Sequence, residues 1–218
     1  MSVSNTPAIT SPPRWRRRKH ARPAEILDAA LDCFAERGFA ATRLDEVARR
    51  AGVTRGTLYL YFPSKEELFK AVVRQSIVPI IAERAQAIAN SDAPAAETLS
   101  AFLLSIPAAL RGSKIIAIPK IIISESQNFP DLARFYLTEV LGRGRRRVKG
   151  LIRRGIERGE FRDLNVDQVF FCVMAPIVMA MVWEHTFATF DKEMPELPAL
   201  CRTHIDLLLH GLLRSKRK

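Results

Sequence analysis

The run T-R-G-T-L-Y-L-Y from Thr54 to Tyr61 gathers hydroxyls at Thr54, Thr57, Tyr59 and Tyr61 around one guanidinium, Arg55. Hydroxyls and exposed N–H groups bind phosphate oxygens, and an arginine fork matches O6 and N7 of guanine. This is the chemistry of holding a duplex, not of breaking a bond. Gly56 either brings the backbone close to a duplex or packs against a neighbouring helix. Leu58 and Phe62 fall at core positions by helical periodicity. Thr42 and Arg43 precede the run and Lys65 follows it, adding further donors.

Short helices must position these groups. Thr42 is a good N-cap, and Asp45 and Glu46 stand in the first turn, where the helix dipole favours negative charge. Leu44, Val47, Ala48 and Ala51 recur at helical spacing and predict one apolar face. Gly52 sits where the chain must leave this helix, in the left-handed conformation that glycine tolerates, and Thr54 then caps a second helix. Two helices joined in this way make a helix-turn-helix, whose second helix enters the major groove. Ile26, Leu27, Ala30, Leu31 and Phe34 predict an earlier helix over about Pro23–Arg37, ended by Gly38. Ser64 and Glu67 predict a capping box for a fourth helix that runs through Val73 towards the rest of the chain.

The run A-G-V-T-R-G-T-L-Y-L-Y-F, followed by P-S-K-E-E-L-F, resembles the DNA-binding domain of TetR-family transcriptional regulators over residues 22–73. The resemblance implies that Thr42 and Arg43 contact backbone phosphates and that Lys65 clamps a phosphate from the start of the fourth helix. It places Thr54, Arg55, Gly56, Thr57, Tyr59 and Tyr61 in the major groove or along its walls. It also implies a ligand pocket and a dimer interface of four helices, two from each subunit. The segment S-E-S-Q-N-F-P-D-L-A-R-F-Y resembles a C-terminal domain type found in part of the same family.

A chain of 218 residues suits one large domain or two modest ones. A net charge of +11 and a pI near 10.1 point to an anionic partner, nucleic acid before membrane surface. The charge is uneven: residues 1–22 hold six Lys/Arg and no acid, residues 23–70 seven against eight, and residues 71–218 twenty-one against fifteen. The reading head is therefore nearly neutral. Residues 1–13, rich in Ser, Thr and Pro, are expected to be disordered. The stretch 14–20, with Arg16, Arg17 and Arg18, forms a basic arm, either a solvated tail or a segment lying along phosphates or in the minor groove. Cys33, Cys172 and Cys201 are too scattered for a disulfide framework and suit a reducing cytoplasm. No apolar leader opens the chain, and the apolar run Val169–Trp183 contains Pro176 and is short for a bilayer, so a soluble protein without a membrane partner is expected.

Beyond Ile77 the pattern is helical throughout, with helices predicted near 80–90, 95–111, 115–126, 130–158, 165–188 and 196–214. Ile121, Ile122 and Ile123 have β propensity, but the pattern around them is helical and no second strand is available to pair. The fold class is all-α: a basic arm at 1–21, a three-helix helix-turn-helix domain at 22–70, and a helical effector-binding and dimerisation domain at 71–218. The two last helices are apolar on more than one side, and such helices must be covered on all sides, most economically by a partner subunit. Phe102, Phe135, Met174, Met179, Trp183 and His185 are the candidates for touching an effector, since polarisable or polar groups interrupt the apolar helices there. Arg143, Arg145, Arg146, Arg147, Lys149, Arg153, Arg154 and Arg158 form a second basic cluster. That cluster reads as a solvated face, or as an attraction to DNA or to an anionic effector. No P-loop, dinucleotide fingerprint or nucleophile elbow occurs, and Glu184-His185 lacks the second histidine of a zinc-protease helix, so neither catalysis nor a metal or cofactor is expected.

These readings converge on a sequence-specific transcriptional regulator, a homodimer on a palindromic double-stranded DNA operator, acting as a repressor released by a small-molecule effector. The alternative is a helical protein that binds nucleic acid non-specifically through its basic segments. It would show a steep salt dependence and little sequence discrimination.

Overall fold

Side-chain caps and left-handed glycines set several helix boundaries in the computed structural model, which describes residues 18–213 apart from Arg111, with side chains from Pro23 onward. The expected disordered segment 1–13 and the arm residues Arg16 and Arg17 lie outside the described residues. The first helix, α1 (Arg18–Ala41), begins before Pro23, so the end of the arm is helical and not extended. Arg, Lys and Ala are good helix formers, which accounts for the extra turn. Gly38 interrupts α1 with φ 77° and ψ 179°, a conformation open essentially to glycine alone. A Cβ built there meets nothing within 4 Å, so Gly38→Ala isolates backbone strain from packing. We expect it to cost about 1–3 kcal/mol in thermal or denaturant unfolding; an unchanged midpoint would show that the segment relaxes freely.

α2 (Leu44–Arg50) is preceded by Arg43 at its N-cap, with no side-chain cap. This corrects the expectation that Thr42 caps it. Thr42 is only 2% exposed, and its hydroxyl donates to the carbonyls of Gly38 at 2.6 Å and Cys33 at 3.2 Å. Those carbonyls belong to the broken end of α1, and satisfying them takes the hydroxyl away from α2. Gly52 turns the chain at φ 64°. Thr54 then caps α3 (Arg55–Tyr61) by accepting from the Thr57 N–H at 3.1 Å. Ser64 caps α4 (Lys65–Ser76) by accepting from the Glu67 N–H at 3.2 Å. The box is only half made, because the Glu67 carboxylate accepts from Lys70 at 2.9 Å.

The rest of the chain is helical as predicted: α5 (Val78–Ala89), α6 (Ala95–Leu110), a 3₁₀ turn (Lys114–Ile116) running into α7 (Ala117–Glu125), then one long helical rod over 130–157. The rod consists of α8 (Pro130–Phe135), a π-helical stretch (Tyr136–Leu141) and α9 (Gly142–Glu157). α10 (Val166–Phe187) and α11 (Leu197–Leu212) complete the chain. Ile121, Ile122 and Ile123 lie in α7, and the described residues contain no strand, only an isolated antiparallel bridge between Phe161 and Leu213.

Apolar burial divides into two cores. One joins Ile26, Phe34, Leu58 and Phe69 of the head to Ile118, Leu132 and Val140 from α7, α8 and the π stretch. The head is thus seated on the second domain by shared packing. The other core is built by α6, α9, α10 and α11 around Leu103, Ile152, Val173 and Ile205. Gly155 of α9 is required by this second core: a Cβ there would run into the Phe161 ring and come within 2.9 Å of the Ala95 Cβ.

Candidate DNA-reading surface and effector cavity

α3 is anchored by one residue and turns most of the others outward. Leu58 is fully buried, and Phe62 just beyond the helix is 9% exposed, so both belong to the core as expected. Arg55, Gly56, Tyr59, Leu60 and Tyr61 face outward. Arg55 is held ready by α2 and by its own helix: Nη1 stands 3.2 Å from Asp45 Oδ1, and the guanidinium carbon lies 5.4 Å from the Tyr59 ring centre. The Tyr59 hydroxyl and the Asp45 charge both favour the charged form of Arg55. Thr54 and Thr57 share a hydroxyl–hydroxyl bond of 2.8 Å at the start of the helix. Leu60, 84% exposed, was not singled out from sequence. Helical periodicity alone marks it as outward, and an exposed leucine on this face suits the thymine methyl group.

The flanking residues divide. Arg43 is exposed at the start of α2. Lys65 donates to the carbonyls of Ala40 at 2.9 Å and Thr42 at 3.2 Å and lies 4.8 Å from the Phe39 ring centre. It therefore ties the end of α1 to the start of α4. Thr42 is enclosed, so its hydroxyl does not reach the surface on which the sequence reading placed it.

The acids of the nearly neutral head brace its own arginines. Arg50 donates to both oxygens of Glu36, at 2.8 and 2.5 Å, and to Glu46 at 3.0 Å, while Arg37 pairs with Glu46 at 2.6 Å. The Arg50 hydrogen bond holds the Glu36 carboxyl below the usual range. Exposed pairs of this kind add little stability each, and their effect is to fix the angle between α1 and α2.

Between α5, α6, the π stretch, α9 and α10 lies an apolar cavity of about 140 Å³. Phe102 and Met174, two of the effector candidates, line it beside Ile81, Ile177 and Met181. The other four candidates, Phe135, Met179, Trp183 and His185, do not line it. Phe135 is buried in the core shared with the head, under the Arg74 guanidinium at 4.9 Å. Met179 and Trp183 are 59% and 38% exposed on the outer side of α10, where the Trp183 Nε1–H donates to Asp191 at 2.8 Å. His185 is half-buried near Ala35 and Lys120, and burial lowers its pKa first, the Lys120 charge second. α10 is apolar nearly all round, so periodicity could not say which side faces the cavity. Arg84, Tyr136, Gly144 and Arg145 also line the cavity, and apart from Arg145, whose cluster reads in one option as an attraction to an anionic effector, the sequence does not mark them as effector candidates.

The π stretch joins cavity to head. Its Tyr136 and Val140 line the cavity, and its Glu139 clamps Arg74 of α4 with two hydrogen bonds of 2.8 Å. That hydrogen bonding keeps the Glu139 carboxyl below the usual range. The second basic cluster does not act as one face: Arg145 turns to the cavity, Lys149 pairs with Asp167, and Arg154 donates to the Ser91 carbonyl at 2.8 Å.

Residues 26–72 match the family model for bacterial regulatory proteins of the tetR family, and residues 94–196 match that for a tetracyclin repressor-like C-terminal domain. The chain belongs to the TetR family of transcriptional regulators, and is a ligand-responsive DNA-binding repressor by class. It is 27% identical over 198 residues to the HTH-type transcriptional repressor KstR2 of Mycolicibacterium smegmatis, covering 90% of this chain and 93% of that one. It is 26% identical over 200 residues to the fatty acid metabolism regulator protein of Bacillus subtilis, covering 90% and 98%. The crystal structure of FadR from Bacillus subtilis in complex with stearoyl-CoA superimposes with a TM-score of 0.73 at 25% identity, covering 86% of this chain and 98% of that one.

Proposed function

We propose that the protein is a cytoplasmic, soluble homodimer that reads a palindromic operator through α3 of each subunit and lets go when an effector with an apolar body fills the cavity. The outward row on α3 carries this reading: a fixed arginine, flanked by hydroxyls, on a helix anchored by one buried leucine. Arg43, Thr54, Arg55, Gly56, Thr57, Tyr59, Tyr61 and Lys65 are the proposed contacts; of the arm residues, Arg16 and Arg17 are proposed from sequence alone, and Arg18 stands at the start of α1. Two-fold symmetry of the dimer would match that of the operator, with half-sites one helical turn apart. The stearoyl-CoA of the Bacillus subtilis relative supports an effector with an apolar chain here.

Effector and operator would communicate through the π stretch. A ligand against Tyr136 and Val140 shifts the position of Glu139, Glu139 carries Arg74, and α4 carries the head. The effector then favours a conformation whose two α3 helices no longer match successive major grooves.

Arg55→Ala tests the DNA reading. Binding to a duplex selected from random DNA is expected to weaken by about 1–3 kcal/mol, with binding to unrelated duplexes unchanged. Equal weakening on all sequences, together with a steep salt slope, would instead establish the non-specific alternative.

A further inference from the structure

We infer that the effector is an anionic amphiphile, its apolar body in the cavity and its carboxylate or phosphate end held by Arg84 at the mouth between α5 and α6; this rests on reading that cavity as the effector site. Arg84 spans the mouth. Its Nη1 donates to the Ile80 carbonyl on its own helix at 3.1 Å, and its Nη2 to the Ser105 carbonyl of α6 at 3.2 Å. Its Nε is buried without a hydrogen-bond partner. The nearest carboxylate oxygen, on Glu83, is 3.8 Å away on a side chain that is 83% exposed, whereas the Arg84 side chain is only 18% exposed. An arginine stays charged at any physiological pH, and a charge taken out of water is costly unless it is paired.

Arg145 repeats the pattern across the cavity wall. Its Nε is buried without a partner, and among the described residues no carboxylate lies within ion-pair distance of it. Its guanidinium rests on Phe170 and Phe171 at 5.4 and 5.7 Å. By contrast, Arg37, Arg50 and Arg55 in the head, and Arg74 just beyond it on α4, are each paired with a carboxylate. Two guanidinium groups with an unpartnered Nε, Arg84 with only a distant, exposed carboxylate and Arg145 with none in ion-pair range, therefore border an otherwise apolar cavity. A neutral ligand would bury their donors further, while a carboxylate or phosphate offers the two acceptors that the fork geometry matches.

The placing of the charged end at Arg84 follows from the outer side of the mouth. A groove of about 230 Å³ between α5 and α6 shares Arg84, Ile88 and Phe102 with the cavity and is lined by Ser91, Thr98, Ser105 and the largely exposed Glu83. Beside it Arg154 reaches the Ser91 carbonyl, with its Nε and Nη2 also unpartnered. Polar groups thus continue outward from the point where the apolar wall ends; the Thr98 and Ser105 hydroxyls already donate to backbone carbonyls, and Arg154 keeps the unpartnered N–H groups. A ligand with a chain and a charged end fits that order of surfaces.

Four probes with a sixteen-carbon chain decide the matter: palmitate, hexadecyl phosphate, palmitoyl-CoA and hexadecanol. Binding to the full chain is measured by calorimetry without DNA, and release from a selected duplex by fluorescence anisotropy. At least one anionic probe is expected to bind about ten-fold or more tightly than hexadecanol. Palmitate alone doing so identifies a carboxylate end; the phosphate-bearing probes doing so identify a phosphate end. Arg84→Met should remove the preference by weakening the anionic probes and not by weakening hexadecanol, and Arg84→Lys should restore part of it, with circular dichroism confirming that both variants fold. Hexadecanol equal to every anionic probe, or an Arg84→Met variant that keeps the preference, would overturn the inference. Calorimetry measures that preference even if no duplex is selected, so failure of the DNA reading is recognised separately.

Discussion

Replacing Phe39 by alanine is expected to lower the free energy of unfolding by about 3–5 kcal/mol, read by urea denaturation of the full chain. Phe39 is fully buried at the meeting point of the head and the second domain. It stacks on Phe34 of α1 at 5.8 Å and meets the Phe69 ring of α4 edge-on at 5.4 Å. Phe129, just ahead of α8, approaches it at 4.7 Å. Lys65 covers the ring, tied at the same time to the Ala40 and Thr42 carbonyls. Alanine removes the surface that all four groups share, and a packed aromatic cluster cannot close over such a hole. Cooperativity should fall as well, because the head and the second domain unfold as one only while they share a core. A loss below about 1 kcal/mol with a single sharp transition would show that the junction is held elsewhere.

The second large effect is expected on the outer face of α10. Phe171 and Met179 are 58% and 59% exposed, Trp183 and Phe187 are 38% and 43% exposed, and Leu207 of α11 adds another apolar group at 67%. Over α10 the spacing of 171, 175, 179 and 183 makes one ridge, of the kind that packs into the grooves of a facing helix. α10 is by length and composition long and apolar enough to cross a membrane, but one of its sides already packs in the second core through Val173 and Ile177. A second copy of the chain covers the remaining side in our reading. Phe171→Glu combined with Met179→Glu should give a monomer in sedimentation. Operator affinity should fall by a factor on the order of 10²–10⁴, because linked binding of two half-sites is lost. An isolated half-site should be bound as before. A dimer that survives both charges would rule this face out as the interface.

What could be read in the sequence was local chemistry. The Gly52 turn, the Thr54 and Ser64 caps and the buried Leu58 depend on partners no more than a few residues away, so spacing alone reveals them. The helices of the second domain were legible for the same reason, including α7, where the surrounding pattern outweighs the β propensity of Ile121–Ile123. Thr42 shows where such reasoning stops. Its residue type suits an N-cap, but its hydroxyl is used by carbonyls of the preceding helix. Lys65 likewise carries a charge that reads as a phosphate contact, while its nearest partners are carbonyls 23 and 25 residues back in the chain.

Helix identity, the Thr54 and Ser64 caps and the order of donors on α3 were settled by the sequence, because a helix places residues by local rules. Which face of α10 turns inward was settled only by tertiary packing. A helix apolar on every side has no periodicity to orient it, and so Met174 lines the cavity while Met179, on the same helix, stands outside. The same holds for Arg84 and Arg145: on a helical wheel they are ordinary surface charges, and only the approach of α6 and α10 buries their Nε atoms beside an apolar cavity. Burial is a property of what comes to lie opposite, and it is the folded chain that brings those neighbours there.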